Sequence, residues 1–379
     1  MKIVLKKNTN KKVTYDLTQL VTTLSWSGSK TQASRKLELG IAVSPFDKNF
    51  GGISVDLGDI LYFYPDKAKK AIFTGKVLSI SQSAGPGEMN VSASDFMSTL
   101  LKSKVTMRFK NKSPEQIAKT ILSALGVETG TIAKTKIKLK KMIFDGETAY
   151  NAIIKSYYKA AKKNKKRYKP YMDGIKFCIG ESGRDSGITL KLGTNVTATS
   201  LERSAEDIVN RVIVFDENGK KVGTYREKDS EKAFGICQET VSLSDGESAK
   251  STANATFKSA TKEAKVEALG SFECYSGRMV KLFDDSTGLW RKFFIENDTH
   301  TIANGIHTMN LDLAFQNTME GEETKRKKPE ATDKSVCWYS GSSKKYHAKK
   351  SCGGLKSPIK TTVREAVKTG REKCQNCWG

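Results

Sequence analysis

GDILYFYPDKAKKAIFTGKVLSI, at residues 58–80, and GRMVKLFDDSTGLWRKFFIENDTHTI, at residues 277–302, are the two stretches on which the fold prediction depends. Each contains a strand pattern, a charged turn and an aromatic-rich strand, and each is followed by a strand pattern that begins with Met-Asn, at Met89 and at Met309. The opening glycine and this methionine are 31 residues apart in the first copy and 32 in the second. The repeat predicts that one β-barrel unit occurs twice in the chain. The alternative is that two unrelated β-meanders share a coarse pattern.

The rest of the chain is organised around these two copies. Short runs of branched and aromatic residues alternate with polar residues up to residue 98 and again from residue 201. We therefore predict a mainly β protein with an α+β insertion, made of two similar β-barrel domains, an α/β region and a small C-terminal zinc module. The predicted boundaries are 1–98 for the first β-barrel domain, 99–200 for the α/β middle region, 201–318 for the second β-barrel domain, 319–334 for a linker and 335–379 for the zinc module.

Three stretches have features of helices. Ser113 is followed by Pro, Glu and Gln, a capping pattern that predicts a helix ending near Gly126. Asp145 is the predicted cap of a second helix, which is amphipathic. The residues on the apolar face of that helix are Ala149, Ile153, Tyr157 and Ala160. A third helix is predicted over residues 248–268.

Composition limits the class of protein. The 379 residues are enough for two or three cores, and 65 Lys and Arg against 41 Asp and Glu give a net charge of +24, which favours polyanions or acidic protein surfaces as partners. Seven unevenly spaced cysteines do not suit a disulfide scaffold, so a reducing compartment is expected. No segment approaches the roughly 18 apolar residues of a membrane helix, and no signal peptide is recognisable. We therefore predict assembly in the cytoplasm and no membrane insertion.

The strongest chemical motif lies near the C-terminus. The spacing H-x4-C-x21-C-x2-C supplies one imidazole and three thiolates, a complete tetrahedral set for zinc, from His347, Cys352, Cys374 and Cys377. Because protein fills all four positions, the predicted zinc is structural, and its binding would stabilise a module too small for a large core. The alternative is that four unligated residues share this segment by chance. Cys337 lies in a strand pattern and is expected to pack rather than to ligate.

His300 and His307 are the candidates for catalytic chemistry. They are seven positions apart and could face each other across a hairpin. No nucleophile elbow, metalloprotease, phosphate-binding or dinucleotide motif accompanies them. We therefore predict two structural histidines and no enzymatic activity. The cysteines predicted to lie in strands as small hydrophobic residues are Cys178, Cys237 and Cys274.

Several segments, taken in order, resemble the tail-hub proteins of contractile phage tails, defective prophages and phage-tail-like bacteriocins of Gram-positive bacteria. The first, LSWSGSKTQASRKLELGIAV, contains Trp26, Gly28 and Arg35. The segments that carry the resemblance are residues 24–43, 58–64, 72–77, 94–122, 144–161, 201–214 and 293–315. Together they cover about residues 1–318, and the zinc tail departs from the pattern of the family.

The resemblance implies a homotrimeric baseplate hub with two similar barrels per chain. Three chains would present six barrels to the sixfold tail tube protein and keep threefold symmetry toward the central spike protein. The middle region would contact the spike or the baseplate wedge proteins, and the lumen would admit a tape-measure protein or DNA. The implied location is the baseplate of a virion or of a phage-tail-like particle. The tail module is expected to dock on another baseplate component, with wall polymer or nucleic acid as the alternatives.

Two functions of other classes remain open from the sequence. One is a basic, zinc-dependent nucleic-acid-binding protein, because residues 325–379 carry 15 Lys and Arg against 4 acidic residues. The other is a cell-wall hydrolase of the tail tip that uses His300 or His307.

Overall fold

The computed structural model describes residues 1–9, 13–30, 33–44, 53–66, 68–82, 87–243, 248–319, 335–341, 343–348, 355, 357–374 and 378. The chain forms two compact units, Met1–Glu322 and Glu323–Gly379. The protein is mainly β, as predicted. In the described part of the chain no helix is both long enough and apolar enough to span a bilayer.

The first part of the large unit is an antiparallel sheet. Its strands are β1 (Lys2–Lys6), β2 (Thr14–Asp16), β3 (Val21–Ser29), β4 (Lys36–Val43), β5 (Ile60–Tyr64), β6 (Phe73–Gln82) and β7 (Gly87–Asp95). They lie side by side in the order β3-β4-β7-β6-β5-β1-β2. Alternate residues of these strands point to one face and form a closed apolar cluster, in which Leu24, Leu39 and Phe63 are buried. The period of two in the sequence therefore produces a half-buried sheet.

The middle part packs helices against two small sheets. Its elements are α1 (Met97–Lys102), β8 (Lys104–Lys112), α2 (Pro114–Ala124), β9 (Thr129–Ile132), β10 (Leu139–Thr148), α3 (Ala149–Asn164), β11 (Tyr168–Asp173) and β12 (Lys176–Glu181). Strand β8 pairs with β10, and the other sheet has the order β11-β12-β9. The helices and both sheets share one core, in which Ile117, Ile153 and Tyr157 are fully buried.

The capping pattern at Ser113 forms as predicted. The Gln116 side chain accepts a hydrogen bond from the Ser113 backbone N–H at 3.0 Å, and Gly126 follows the helix with a φ of 65°.

The predicted cap of the second helix is wrong. Asp145 lies in β10, whose pairing with β8 continues on both sides of it, and the helix begins only at Ala149. The Thr148 side chain caps it by accepting from the Asn151 N–H at 3.2 Å. The predicted apolar face is correct, since Ala149, Ile153, Tyr157 and Ala160 are all buried.

The last part of the large unit returns to the main sheet and contains an insertion. Its elements are β13 (Arg184–Lys191), β14 (Val196–Ser204), β15 (Arg211–Phe215), β16 (Lys221–Arg226), α4 (Lys228–Phe234), β17 (Gln238–Ser242), α5 (Ala249–Thr256), β18 (Thr261–Leu269), β19 (Arg278–Asp284), β20 (Leu289–Ala303) and β21 (Ile306–Ala314). The order in the main sheet is β14-β18-β21-β20-β19-β13. A separate sheet, β16-β15-β17, lies between β14 and β18 in sequence. The second half has its own core, with Val266, Leu282 and Leu311.

Strand β13 lies within the predicted middle region and β14 crosses its boundary at residue 200, and both strands pair in the main sheet. The helix prediction for this region is wrong. The helix predicted over residues 248–268 ends at Thr256, because Ala264, Val266 and Ala268 alternate with exposed residues and pair as a strand. The period of two outweighs the helix propensity of Ala, Lys and Glu.

Together the two halves form one curled, 13-stranded sheet, and they share a strand order. The series β3-β4-β7-β6-β5 in the first half corresponds to β14-β18-β21-β20-β19 in the second. Bulges interrupt the same pairs of strands in both halves. They fall between Val21 and Thr23, Val77 and Ser79, Val196 and Ala198, and Ile295 and Asn297.

The two glycines that open the sequence repeat have the same backbone role. Gly58 and Gly277 have φ values of 90° and 92°, which a residue with a Cβ rarely adopts. The N–H of Gly58 donates to the Val77 carbonyl at 2.8 Å, and that of Gly277 donates to the Ile295 carbonyl at 2.9 Å. Each acceptor immediately precedes a bulge, so the sequence repeat corresponds to a repeat of hydrogen bonds.

The small unit contains β22 (Val336–Tyr339), β23 (Lys345–Tyr346), β24 (Ile359–Thr362), α6 (Val363–Lys368) and β25 (Glu372–Lys373). Strand β22 pairs antiparallel with β24, and β23 pairs parallel with β25. Its buried cluster includes Cys337, Val363, Ala366 and Trp378.

Candidate functional site: the junction between the two halves

The long strand β20 joins the two halves of the sheet. Its first part pairs with β19, and its second part pairs with β3 of the first half. The register with β3 runs from Asn297 opposite Ser29 to Ala303 opposite Thr23. This pairing makes one continuous sheet from two copies of the repeat.

A buried ion pair fixes the two halves at this junction. The Arg35 guanidinium donates from both terminal nitrogens to the carboxylate of Asp298, with Nη1 to Oδ1 at 3.1 Å. The Asp298 side chain is fully buried, and it also accepts from the Ser276 N–H at 2.6 Å. The guanidinium carbon lies 3.7 Å from the ring centroid of Trp26, a cation–π contact. Gly28 leaves space for the Arg35 guanidinium, because a Cβ at this position would clash with Arg35 Nη1.

The carboxylate of Asp298 is ionised because of this arrangement. Burial by itself would raise the pKa of Asp298, but the charge and hydrogen bonds of Arg35 outweigh it and hold the pKa below its usual range. The residues sit 263 positions apart in the sequence. Sequence analysis missed the pair, because no local pattern connects residues that meet only through strand pairing.

His300 and His307 face each other, as predicted. His300 Nδ1 lies 3.1 Å from His307 Nε2, and His300 Nε2 lies 2.9 Å from the Cys274 carbonyl oxygen. A carbonyl oxygen only accepts, so Nε2 of His300 donates and its Nδ1 accepts from His307. Burial lowers the pKa of His300 to about 4, and burial also lowers the pKa of His307. Both imidazoles are therefore neutral at pH 7, and both nitrogens of His300 and the Nε2 of His307 have partners inside the protein.

The histidines pack against aromatic rings, and the Asp298 carboxylate lies 3.6 Å from His300 Nε2. The Phe272 ring stacks on His307 with a centroid distance of 4.2 Å. Burial raises the pKa of Cys274 to about 11, so its thiol is not an activated nucleophile. Cys178 lies in β12 as expected, whereas Cys237 and Cys274 lie in loops rather than strands. The cluster is suited to holding strands together rather than to proton transfer with a substrate.

The middle region is tied to the same junction. The Lys169 ammonium donates to the Ser276 hydroxyl at 2.6 Å, and the Gly183 N–H donates to the Gly277 carbonyl at 2.8 Å. Ser276 and Gly277 directly precede β19, so the contacts reach the residues that hold Asp298. The junction therefore connects three parts of the large unit.

The small unit contains two of the predicted zinc ligands among its described residues. Tyr346 pairs with Lys373, so His347 and Cys374 follow at the ends of neighbouring parallel strands, and both are buried. Burial lowers the pKa of His347, which favours the neutral imidazole that binds metals. The other two predicted ligands, Cys352 and Cys377, lie outside the described residues. No cluster of three or more metal-binding side chains occurs within the described ranges, so the zinc site stays a prediction.

Known proteins are similar to this chain in sequence and in fold. The YQBQ-like family model matches residues 24–314. The phage-like element PBSX protein XkdQ of Bacillus subtilis is 26% identical over 308 residues, which is 78% of this chain and 93% of that protein. The 43 kDa tail protein of prophage MuSo2 from Shewanella oneidensis has a similar fold, with a TM-score of 0.62 at 15% identity over 83% of this chain and 98% of that one. A chain of the Francisella PdpA–VgrG complex matches with a TM-score of 0.51 at 9% identity, over 87% of this chain and 60% of that one.

The family match contains the parts of the fold that the junction joins. It begins in β3, which carries Trp26 and Gly28, and it ends at the last residue of β21. The match contains the Arg35–Asp298 pair and both copies of the repeat, except for the start of β3 with its bulge between Val21 and Thr23. The chain belongs to the YQBQ-like family.

Proposed function

We propose that this chain is the structural hub of a contractile-tail baseplate, a trimeric adaptor that joins the sixfold tail tube to the threefold central spike. The observation that carries the proposal is the duplication within one sheet. Two halves share strand order, bulges and the glycine hydrogen bond, and they are joined edge to edge through β3 and β20. The similarity to phage tail proteins supports a structural role in a tail or baseplate.

The duplication would let a trimer bind both a sixfold tail tube and a threefold spike. A ring of three chains has threefold symmetry, but if each chain contributes two similar halves, the ring also presents six similar surfaces. One face can then bind a sixfold tube while another binds a threefold spike. The similarity to a chain of a PdpA–VgrG complex supports a position beside the spike.

The other proposed partners follow from this position. The hub contacts the tail tube protein on one face and the central spike protein on the other, and the baseplate wedge proteins surround it. Its lumen admits a tape-measure protein or DNA. The protein works in the baseplate of a virion or of a phage-tail-like particle such as a bacteriocin, and it assembles in the bacterial cytoplasm.

The mass of the purified full-length protein tests the proposal. We expect sedimentation equilibrium to give three chains, and imaging of the intact particle to place three copies between tube and spike. A monomer over the whole concentration range, or a location away from the tail, would overturn the hub assignment. A monomer that also shifts DNA with a steep salt dependence would identify a nucleic-acid-binding protein instead.

A tail-tip hydrolase gains no support from the histidine pair. His300 is fully buried, and both of its nitrogens have partners in the protein. Turnover of peptidoglycan that disappears with His300→Gln but not with a matched variant of equal stability would nevertheless contradict the hub as the sole function.

We also propose that the small unit binds one structural zinc ion through His347, Cys352, Cys374 and Cys377. The burial of His347 and Cys374 at neighbouring strand ends supports this. Elemental analysis of the full chain should give one zinc per chain, which is lost in the Cys374→Ser, Cys377→Ser double variant and kept in Cys237→Ser. One zinc per chain in the double variant would refute the ligand set.

A further inference from the structure

Strand β6 of the first half corresponds to β20 of the second half. The edge of β20 that pairs with β3 has a counterpart in β6 to which no described strand is bonded. In the second half, the first part of β20 pairs with β19 and the second part pairs with β3. In the first half, β6 pairs with β5 only from Phe73 to Lys76, and beyond the bulge no described strand pairs with the edge of Ser79–Gln82 that faces away from β7. This edge corresponds to the part of β20 that joins the halves.

Strand β14 has the complementary edge. Its equivalent, β3, pairs with β4 on one side and with β20 on the other. Strand β14 pairs with β18 on one side, and apart from an isolated bridge between Val196 and Leu192 it ends the path of the main sheet, as far as the described residues go. One chain therefore has both edges of the β3–β20 junction a second time, on separate strands.

The shared bulges fix the correspondence residue by residue. Ser79 corresponds to Asn297, since each follows a bulge, and Ala198 corresponds to Thr23 for the same reason. The known register of β3 with β20 can then be transferred to β14 and β6. The transferred pairs are Ser79 with Ser204, Ile80 with Arg203, Ser81 with Glu202, and Gln82 with Leu201.

The backbone N–H groups of β14 alternate in direction as those of β3 do, so the same residues of β14 can donate to a new neighbouring strand. In the first half, the Ala42 N–H donates to the Leu20 carbonyl, and in the second half the Leu269 N–H donates to the Asn195 carbonyl, both at 2.8 Å. These equivalent bonds show that the backbone N–H groups of β14 and β3 point alternately to the two neighbouring strands in the same order. Arg203 corresponds to Gly28, so its N–H points away from β18. At the internal junction, the Lys30 N–H donates to the Glu296 carbonyl at 2.8 Å.

One side-chain difference fits pairing between chains. At the internal junction Lys30 forms an ion pair with Glu296, the bulged residue of β20. The bulged residue of β6 is Leu78, which is 44% exposed, and its transferred partner is Ala205. An apolar pair thus replaces the ion pair, and covering Leu78 would remove an exposed leucine from water.

We propose that β6 of one chain pairs antiparallel with β14 of a second copy of the same chain, in the register given above. The contact repeats the internal β3–β20 junction, so each chain meets its neighbours by the same geometry with which its own halves meet. Because the two edges differ, the interface is heterologous, and such an interface gives a ring when the rotation between neighbouring chains closes. The closure at three chains rests on the proposed hub function, whereas the pairing itself rests on the register.

Disulfide trapping in the full-length protein tests the register. Ser81 and Glu202 are both exposed and form a pair without mutual backbone hydrogen bonds, in which Cα atoms are about 4.5 Å apart, close enough for a disulfide. We expect oxidised Ser81→Cys, Glu202→Cys protein to give covalent species that end at three chains. The matched control is Ser81→Cys, Arg203→Cys, whose second thiol points to the other face of the sheet. It should cross-link about tenfold less, and the oxidised wild-type chain gives the background from the native cysteines.

A proline tests the same edge without relying on thiols. Arg203→Pro removes an N–H that points outward, so it leaves the β14–β18 ladder intact and should keep the melting temperature of the chain. It should weaken self-association by about tenfold or more, since the Ile80 carbonyl of the neighbour loses its donor. Arg203→Ala keeps the N–H and should associate like the wild type.

The outcomes separate this inference from the hub function. A trimer that cross-links equally in both cysteine pairs, or that is unaffected by Arg203→Pro, overturns the strand pairing and leaves the hub function standing. A monomer that gives no specific cross-link overturns both. A specific cross-link in a ring of another size supports the pairing and overturns the threefold hub.

Discussion

The buried Arg35–Asp298 pair should decide the stability of the junction, and Arg35→Met tests this. Methionine keeps an unbranched apolar chain against Trp26 but removes the charge and both hydrogen bonds to Asp298. The Asp298 carboxylate, which has no exposed surface, then keeps the hydrogen bond from the Ser276 N–H and the His300 ring, whose Nε2 lies 3.6 Å away.

The size of the effect follows from this burial. Removing one partner of a buried ion pair costs about 3–5 kcal/mol, because the remaining charge is uncompensated. For a unit of 322 residues with an unfolding entropy of about 2.1 cal/mol/K per residue, a loss of about 4 kcal/mol lowers the melting temperature by about 6 °C. Lys292→Met is the matched control, since Lys292 lies on β20, the strand that carries Asp298, and pairs with Asp185 at the surface. It should cost about 1 kcal/mol or less.

The cost of Arg35→Met should also depend on pH. In the wild type the lowered pKa of Asp298 stabilises the fold above the pKa of the unfolded chain, and this stabilisation is lost as the pH falls. In the variant, burial raises the pKa of Asp298 against only the weaker opposition of the Ser276 N–H and His300. The folded state then binds a proton that the unfolded state releases, and the variant loses stability as the pH rises. Urea unfolding at pH 5 and pH 8 should therefore show a larger difference from the wild type at pH 8. Equal costs for Arg35→Met and Lys292→Met, or a larger cost at pH 5, would refute the reasoning.

The other predictions concern the histidine pair and the middle helix. The pKa of His300 in the folded chain, about 4, lies below its pKa in the unfolded chain. Neutral His300 should therefore contribute about 3 kcal/mol to the free energy of unfolding above pH 6.5, and this contribution should be lost as the pH falls toward 4. The imidazole signal of His300 in NMR should not titrate above pH 5. Gly270→Ala places a Cβ about 2.1 Å from the His307 ring and should cost about 1–3 kcal/mol in urea unfolding, whereas Gly341→Ala, which meets no atom within 4 Å, should be close to neutral. Thr148→Ala should cost about 1 kcal/mol through loss of the cap of α3, while Asp145→Ala should leave the unfolding free energy almost unchanged.

Local patterns in the sequence were sufficient for several elements. The bonds between Ser113 and Gln116 and the buried face of α3 depend on residues within a few positions of each other. The Gly58 and Gly277 stretches were recognisable as copies because the same turn and the same strand lengths need similar residues. Residues 248–268 were misread because Ala, Lys and Glu favour a helix locally, while the burial of Ala264, Val266 and Ala268 in a strand depends on β14 and β21, which are distant in sequence.

The sequence by itself indicated that the chain is mainly β, that one strand pattern with its opening glycine occurs twice, and that His300 and His307 could face each other across a hairpin. Each of these depends on periodicity, on turn residues or on spacing along the chain. Only the tertiary structure decided that the two copies join edge to edge through β3 and β20 and that Arg35 meets Asp298 there. It also showed that no strand among the described residues covers the corresponding edges of β6 and β14. The physical reason is that backbone hydrogen bonds between strands carry no side-chain identity, so which edges meet is set by the register of the whole sheet.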